Sequence, residues 1–365
     1  MEPSMPEWFR THGYTTVSVG KVSHHPGGRG GKDWNDSTII EIPKAWDKHL
    51  MPVAEWEHPR GMMHGLTNGE IRVKSGDMDV FQTTVGDDTT YPDGLITNEA
   101  LKQLNELTNE TDKPFFLAVG IIKTHLPFGA PKSYFERYEG VKIPAIEHPQ
   151  KPEGKTTWHD SNEFMKYNRW GKNPNSDTNF ADDVRRHYAA SFSYADAQVG
   201  KVLAELKRTG ADKNTIVVFC GDHGWHLGEH AIWGKHSLFE ESLRSPMIIH
   251  YPGMNSKGTK TDAIVETLDI FPTLCDIAGV DAPSFAQGVS LKEIIENPNT
   301  AGHPAIAYWK NAKTIRTTTH RMIIPNDGFA ELYDHTSTEN ETKNVADKHP
   351  ELIVDLKKLL NVKMQ

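Results

Sequence analysis

Sulfur chemistry is nearly absent from this chain: its 365 residues include two cysteines, Cys220 and Cys275. They match no metal-ligand spacing and make no disulfide framework. Each lies in an apolar or helical pattern, so both are expected as small buried hydrophobes. No apolar run approaches the roughly 18 residues of a membrane span. The opening Met1-Glu2-Pro3-Ser4 lacks a basic stretch followed by an apolar one, so no secretion signal is expected there. Positive charge is also in deficit: 40 Lys and Arg face 49 Asp and Glu, a net charge of −9, with an isoelectric point near 6.1. That balance lacks the basic footprint of a nucleic-acid partner, but leaves room for a locally basic pocket. Internal repeats and low-complexity tracts are missing too. Three N-x-S/T triplets begin at Asn35, Asn109 and Asn340; they matter only in a eukaryotic secretory setting.

What is abundant is histidine, with 19 residues, the usual titrating and metal-binding side chain. Along the chain, Pro6 to His12 reads as a short helix stopped by Gly13. Tyr14 to Val19 reads as a strand. Residues 25–93 are rich in Gly, Pro, Asp and Trp and carry little periodicity, as functional or lid-like excursions do. Leu95 to Leu107 keeps helical spacing. Phe115 to Ile122 is an unbroken apolar run, the pattern of a strand buried on both faces. Residues 140–180 read as another loop excursion. Asp183 to Thr209 is the clearest helix, with Val184, Tyr188, Ser191, Ala195, Val199, Val202 and Leu206 on one face. Thr215 to Cys220 and Pro246 to Tyr251 are further strands, and Leu268 to Ala278 a further helix.

Strands alternating with helices predict an α/β fold with a mostly parallel sheet flanked by helices over residues 1–298. From 299 to 365, four short strands without intervening helices, then a helix from Pro350 to Leu360, predict a small C-terminal α+β subdomain. Ligands of parallel sheets bind beyond the carboxyl ends of the strands. Three polar clusters fall there: Lys21 with His24, Lys123 with His125, and Asp222 with His223.

The richest segment is Gly221-Asp222-His223-Gly224-Trp225-His226-Leu227-Gly228-Glu229-His230. Asp222 offers a hard oxygen suited to Ca²⁺ or Mg²⁺, and His223 can complete a metal shell or meet a substrate. The bland reading is a tight polar turn after a strand. Lys235 alone reads as solvated surface; beside a metal it would hold an anionic oxygen. Lys21 and His24 have the same two readings, and His125 is otherwise a rigid loop histidine. His226, His230 and His236 read as pocket lining or as support for ligating residues, while Trp225 and Trp233 line a pocket or pack a core. Together these groups would make a basic pocket on an acidic protein, suited to sulfate or phosphate esters.

In order along the chain, several segments resemble the sulfatase family of the alkaline-phosphatase superfamily. They are Gly20-Lys21-Val22-Ser23-His24, the Pro114 strand with His125-Leu126-Pro127-Phe128, the GDHGWHLGEH run, and Trp233-Gly234-Lys235. Ser245 to Gly253, Asp269 to Leu274 and Glu331-Leu332-Tyr333-Asp334 continue the series. GWHLGEH with WGKHSLFE is most similar to iduronate-2-sulfatase-like members. The resemblance implies an alkaline-phosphatase-like fold and hydrolysis of sulfate esters of sulfated sugars. It implies that Lys21 contacts nucleophile and sulfate, that His24 hydrogen-bonds the nucleophile, and that His125 and Lys235 bind sulfate and assist the leaving oxygen. Asp222 and His223 would form half of a Ca²⁺ site, and a periplasmic, secreted or lysosomal setting is implied. The family's nucleophile is a formylglycine made in a C-x-P-S-R or S-x-P-S-R motif. No such motif occurs here, and the N-terminal Asp pair of the metal site is absent; Asp87-Asp88 reads as a solvated loop pair. A truncated, inactive form with exposed apolar sheet surface is therefore expected. Two other readings stay open: a phosphate or phosphonate ester hydrolase on the same scaffold, and a non-catalytic binder of anionic glycans. All of them expect Lys21, His24, His125, Asp222, His223 and Lys235 around one pocket at one rim of the sheet.

Overall fold

The computed structural model describes residues 2–23, 42, 44–110, 112–160 and 162–363. The chain divides into two compact units, Met1–Pro144 with Phe164–Lys213, and Ala145–Glu163 with Asn214–Gln365. The C-terminal antiparallel sheet thus shares a unit with the Asp222 turn. Among the described residues no helix is long and apolar enough to cross a membrane.

The first unit opens with helix α1 (Met5–Thr11). Ser4 Oγ accepts from the Glu7 amide and the Glu7 carboxylate accepts from the Ser4 amide, a reciprocal cap that satisfies two otherwise orphaned donors. The strands are β1 (Thr15–Gly20), β2 (Lys48–Leu50), β3 (Phe81–Thr84), β4 (Phe115–Gly120) and β5 (Phe128–Pro131). β1 lies between β2 and β4, parallel to both, while β3 and β5 pair in parallel separately. Helix α2 (Pro92–Asn109) begins with a proline whose fixed φ suits the first turn. Its Ile96, Ala100 and Leu107 pack with Val17, Val19, Trp56 and Met62 in one apolar cluster. Each large side chain removed from water there contributes about 1.5–3 kcal/mol.

Helix α3 (Thr178–Thr209) starts where Asp177 accepts from the Phe180 amide at 3.0 Å and ends at Gly210, whose φ of +77° suits glycine. Its buried stripe includes Val184, Ser191, Tyr194 and Gln198. The spacing put Ala195 and Val199 on that face; Asp88 changes the outcome. Tyr194 donates to the Asp88 carbonyl at 2.8 Å, and the Asp88 carboxylate accepts from Gln198 at 2.9 Å, from Tyr134 at 3.0 Å, and from Lys201. Asp88 is thus a hub, not the solvated residue expected. Asp87 only caps its own turn, accepting from the Thr89 amide. The stretch 25–93 also contains β2 and β3, of 3 and 4 residues, too short to show a period. His24 and the Asn35 triplet lie outside the described residues.

The second unit holds β6 (Val217–Cys220), β7 (His226–Leu227), β8 (Trp233–Gly234), β9 (Met247–His250), β10 (Ala305–Trp309), β11 (Ala312–Arg316), β12 (His320–Pro325) and β13 (Glu331–Asp334). The two apolar runs β6 and β9 pair antiparallel, Val217 opposite His250 and Cys220 opposite Met247. The segment joining them carries the β7–β8 hairpin and a helix of only 4 residues. Without a crossover helix to return the chain, the strands meet head to tail. Cys275 is buried on α4 (Ile270–Ala278), but Cys220 is exposed at the end of β6, correcting the expectation for that residue. Phe219 and Ile248 on the same pair are 39% and 62% exposed. β10 to β13 form an antiparallel meander in chain order, as four short strands without intervening helices led one to expect. Leu356 and Leu360 of α5 (Pro350–Lys363) pack on its Ile315, Met322 and Leu332.

Candidate active site

In the first unit the polar residues Lys21, Lys123 and His125 follow the point where β1 and β4 end together. Their register runs through Gly20 opposite Gly120, so Lys21 and the loop from Ile121 to His125 leave the sheet side by side. The Lys21 amide donates to the Gly120 carbonyl at 2.9 Å. Only glycine permits this approach: a Cβ on Gly20 would lie 2.3 Å from the Gly120 oxygen, and one on Gly120 2.1 Å from the Lys21 carbonyl.

The loop is held from the start of α2. Buried Asp93 accepts from the amides of Ile122 at 2.7 Å and Lys123 at 2.9 Å. Burial pushes its pKa up, opposed by those two amides and by the charges of Lys123 and Lys21. Lys123 is buried as well; its Nζ donates to the Pro127 carbonyl at 2.7 Å and lies 5.6 Å from the Tyr91 ring centre. Burial pushes its pKa down to about 7 against the attraction of Asp93. His125 donates from Nδ1 to the Leu126 carbonyl at 2.6 Å, because a carbonyl can only accept. Nε2 is therefore the basic nitrogen of the neutral ring. Its ring lies 6.2 Å from that of His64.

In the second unit the Gly221-Asp222-His223-Gly224 turn is pinned at both ends. The Gly221 amide donates to the Pro246 carbonyl at 3.0 Å, and the Gly224 amide to the Ser242 carbonyl at 2.8 Å. His223 donates from Nδ1 to the Gly224 carbonyl at 2.7 Å, and its Nε2 stands 3.7 Å from the Asp222 carboxylate. Lys235 is no solvated lysine: its side chain is 16% exposed, with Nζ 3.4 Å from Glu163 and 5.7 Å from the Trp225 ring centre. His236 faces the same Glu163 at 3.7 Å and stacks on Trp309 at 4.8 Å. Burial lowers its pKa, Glu163 opposing and Lys235 and His223 adding to the fall. Trp233 is core. A cavity of about 270 Å³ opens beside Trp309, bounded by Thr157, His159, Lys310, Asn311 and Phe329.

The Asp222 carboxylate is 81% exposed and offers the hard oxygen that Ca²⁺ or Mg²⁺ takes. Since Ca²⁺ gathers roughly six to eight oxygens, Asp222 and His223 supply a minority of a shell.

Each unit thus gathers its own predicted residues: Lys21 and His125 in the first, Asp222, His223 and Lys235 in the second. Two contributors were missed. Asp93 left a trace, since Pro92-Asp93-Gly94 opens a helix beside a polar strand end. Glu163 left none, lying in a polar stretch with no pattern linking it to Lys235.

A family model described as sulfatase matches residues 1–280, and one described as N-sulphoglucosamine sulphohydrolase, C-terminal, matches residues 228–365. A sulfatase of Formosa agariphila is 30% identical over 370 residues, covering 98% of this chain and 68% of the relative. Iduronate 2-sulfatase of Mus musculus is 29% identical over 367 residues, covering 84% of this chain and 63% of that relative. This chain therefore spans only about two thirds of their lengths. The solved phosphonate monoester hydrolase of Agrobacterium radiobacter shares the fold, with a TM-score of 0.74 at 19% identity, covering 98% of this chain and 79% of that one. The parallel β1–β4 core, the C-terminal meander and these matches together make the chain a member of the sulfatase family, with its alkaline-phosphatase-like α/β fold.

Proposed function

We propose that this chain supplies the anion-holding and leaving-group machinery of a sulfatase that acts on sulfated sugars, with a 2-O-sulfated uronate as its substrate. One observation carries the reading: a protein of net charge −9 brings Lys21 and the loop that bears His125 to the shared end of two parallel strands, within the sulfatase family match. Lys21 and Lys235 hold sulfate oxygens as negative charge builds in the transition state. His125, once its ring is protonated at Nε2, gives that proton to the departing sugar oxygen, and the Lys235 ammonium steadies the charge there. Glu163 keeps Lys235 in place until an anion competes for it. Lys123 touches no substrate; it ties the His125 loop to Pro127.

Asp222 and His223 hold part of a Ca²⁺ or Mg²⁺ shell, and the bound cation would neutralise sulfate charge. None of the 365 residues forms C-x-P-S-R or S-x-P-S-R, so a formylglycine nucleophile would have to be supplied to these residues for turnover. The cavity walled by Trp309, Phe329 and Lys310 suits an apolar sugar face and an acidic substituent. A secreted, periplasmic or lysosomal setting fits such a substrate.

The test is sulfate release from a 2-O-sulfated uronic acid disaccharide by the polypeptide made from the whole coding frame, with formylglycine verified by mass spectrometry. Release that stops on chelation is expected; no release with formylglycine present would refute the proposal. The phosphonate hydrolase fold likeness favours one competing reading. A matched phosphate ester, run in parallel and turned over faster, would establish it instead.

A further inference from the structure

The segment following Asp222 contains a second cluster with ligand chemistry, inside the second unit. His226 and His230 are both fully buried. Their rings lie 5.6 Å apart at 71°. One ligand atom from each, together with a carboxylate oxygen of Glu241, lie within 4.8 Å of one another.

The hydrogen bonds around the two rings set their tautomers. His230 Nε2 faces the Asn340 carbonyl at 2.8 Å, and His226 Nδ1 faces the Glu229 carbonyl at 3.2 Å. Carbonyls only accept, so each ring spends its single N–H there. That leaves a lone pair on His230 Nδ1, while His226 Nε2 faces a hydroxyl at 3.0 Å, that of Ser237, whose own proton goes to Ser242 at 2.8 Å. His230 Nδ1 is buried with no hydrogen-bond partner, and so is Oε2 of Glu241, the two standing 3.6 Å apart. Buried polar atoms are nearly always satisfied, so two that face each other across this distance mark a place for a third body. Imidazoles whose far nitrogen donates to a backbone carbonyl are the arrangement that orients histidine ligands toward metals.

A neighbouring cluster makes the contrast. Glu240, His335 and Glu341 are also close together, yet there Glu341 accepts from Arg321 at 2.6 Å, from His335 at 2.9 Å and from the Glu240 amide at 2.7 Å. Arg321 already occupies the place of a cation.

We infer that His226, His230 and Glu241 form a binding site for a zinc-type transition-metal ion, separate from the hard oxygen ligand at Asp222. Two neutral imidazoles and one carboxylate are the donor set of Zn²⁺ and its first-row neighbours rather than of Ca²⁺ or Mg²⁺. Glu241, 28% exposed, is the route of entry and leaves a fourth position for water. Such an ion would fasten the β7–β8 hairpin, which carries Lys235, to the short helix that holds Glu241.

The experiment uses the full chain, stripped with a chelator and returned to excess Ca²⁺, then titrated with Zn²⁺ alone by calorimetry, with metal content read by mass spectrometry. One zinc per chain is expected, unchanged in Asp222→Ala and lost in the His226→Gln, His230→Gln double variant. Glu241→Gln, altering the member nearest solvent, should fold even if the double variant does not, and should weaken zinc at least about tenfold. Co²⁺ in place of zinc should give the intense visible bands of tetrahedral coordination, absent in that variant. No stoichiometric zinc in the unaltered chain overturns the inference. So does zinc that disappears with Asp222→Ala or persists undiminished in Glu241→Gln.

Discussion

Asp93 and Lys123 shape the His125 loop from within the protein, and both are shifted toward their neutral forms by burial. Asp93→Ala would strand two buried amides, at about 1–3 kcal/mol for each donor left unsatisfied. Urea unfolding should register that loss; an unchanged midpoint would mean the amides find other partners. Lys123 adds a pH dependence. Its folded pKa of about 7 lies below the 10.5 of a free lysine. Between those values the unfolded chain binds a proton that the native chain lacks, so this residue makes the fold more stable as pH rises from 7 toward 10.5. Unfolding curves at the two ends of that window should differ for the unaltered chain, and by less for Lys123→Met. An equal slope in both proteins would show that Lys123 keeps its charge in the fold.

At the scale of elements, the sheet faces differ in what they hide. Ile96 of α2 is fully buried against β1, whereas Ile248 of β9 is 62% exposed. Ile96→Ala should therefore cost about 2–5 kcal/mol, and Ile248→Thr should stay within about 0.5 kcal/mol, both measured by chemical denaturation. A comparable cost at Ile248 would mean that its face is covered in solution. The same elements show what a sequence can disclose. Continuous apolar runs announced β4, β6 and β9, and a Thr- and Val-rich run announced β1, although β6 and β9 each leave positions exposed. The run that became β9 held no information about direction, which the missing crossover helix decides. Asp88 and Glu163 were illegible for one shared reason. Each acts on residues remote in sequence, Asp88 on α3 and Glu163 on Lys235, and a single chain gives no periodic trace of such pairs. Lys21, Asp222 and Lys235 stand out locally because each follows a glycine close to the end of a strand, and His125 because it lies in a short polar loop after one.

At the scale of the molecule, the chain is acidic overall, with a net charge of −9, and belongs to the sulfatase family. The most direct test is the rate of sulfate release from a 2-O-sulfated uronic acid disaccharide by the formylglycine-bearing whole polypeptide, compared with its His125→Ala and Lys235→Ala variants. The account predicts release by the parent and losses of about 100-fold or more in each variant, the usual scale for a lost general acid. Unimpaired release by either variant, or none by the parent, would contradict it.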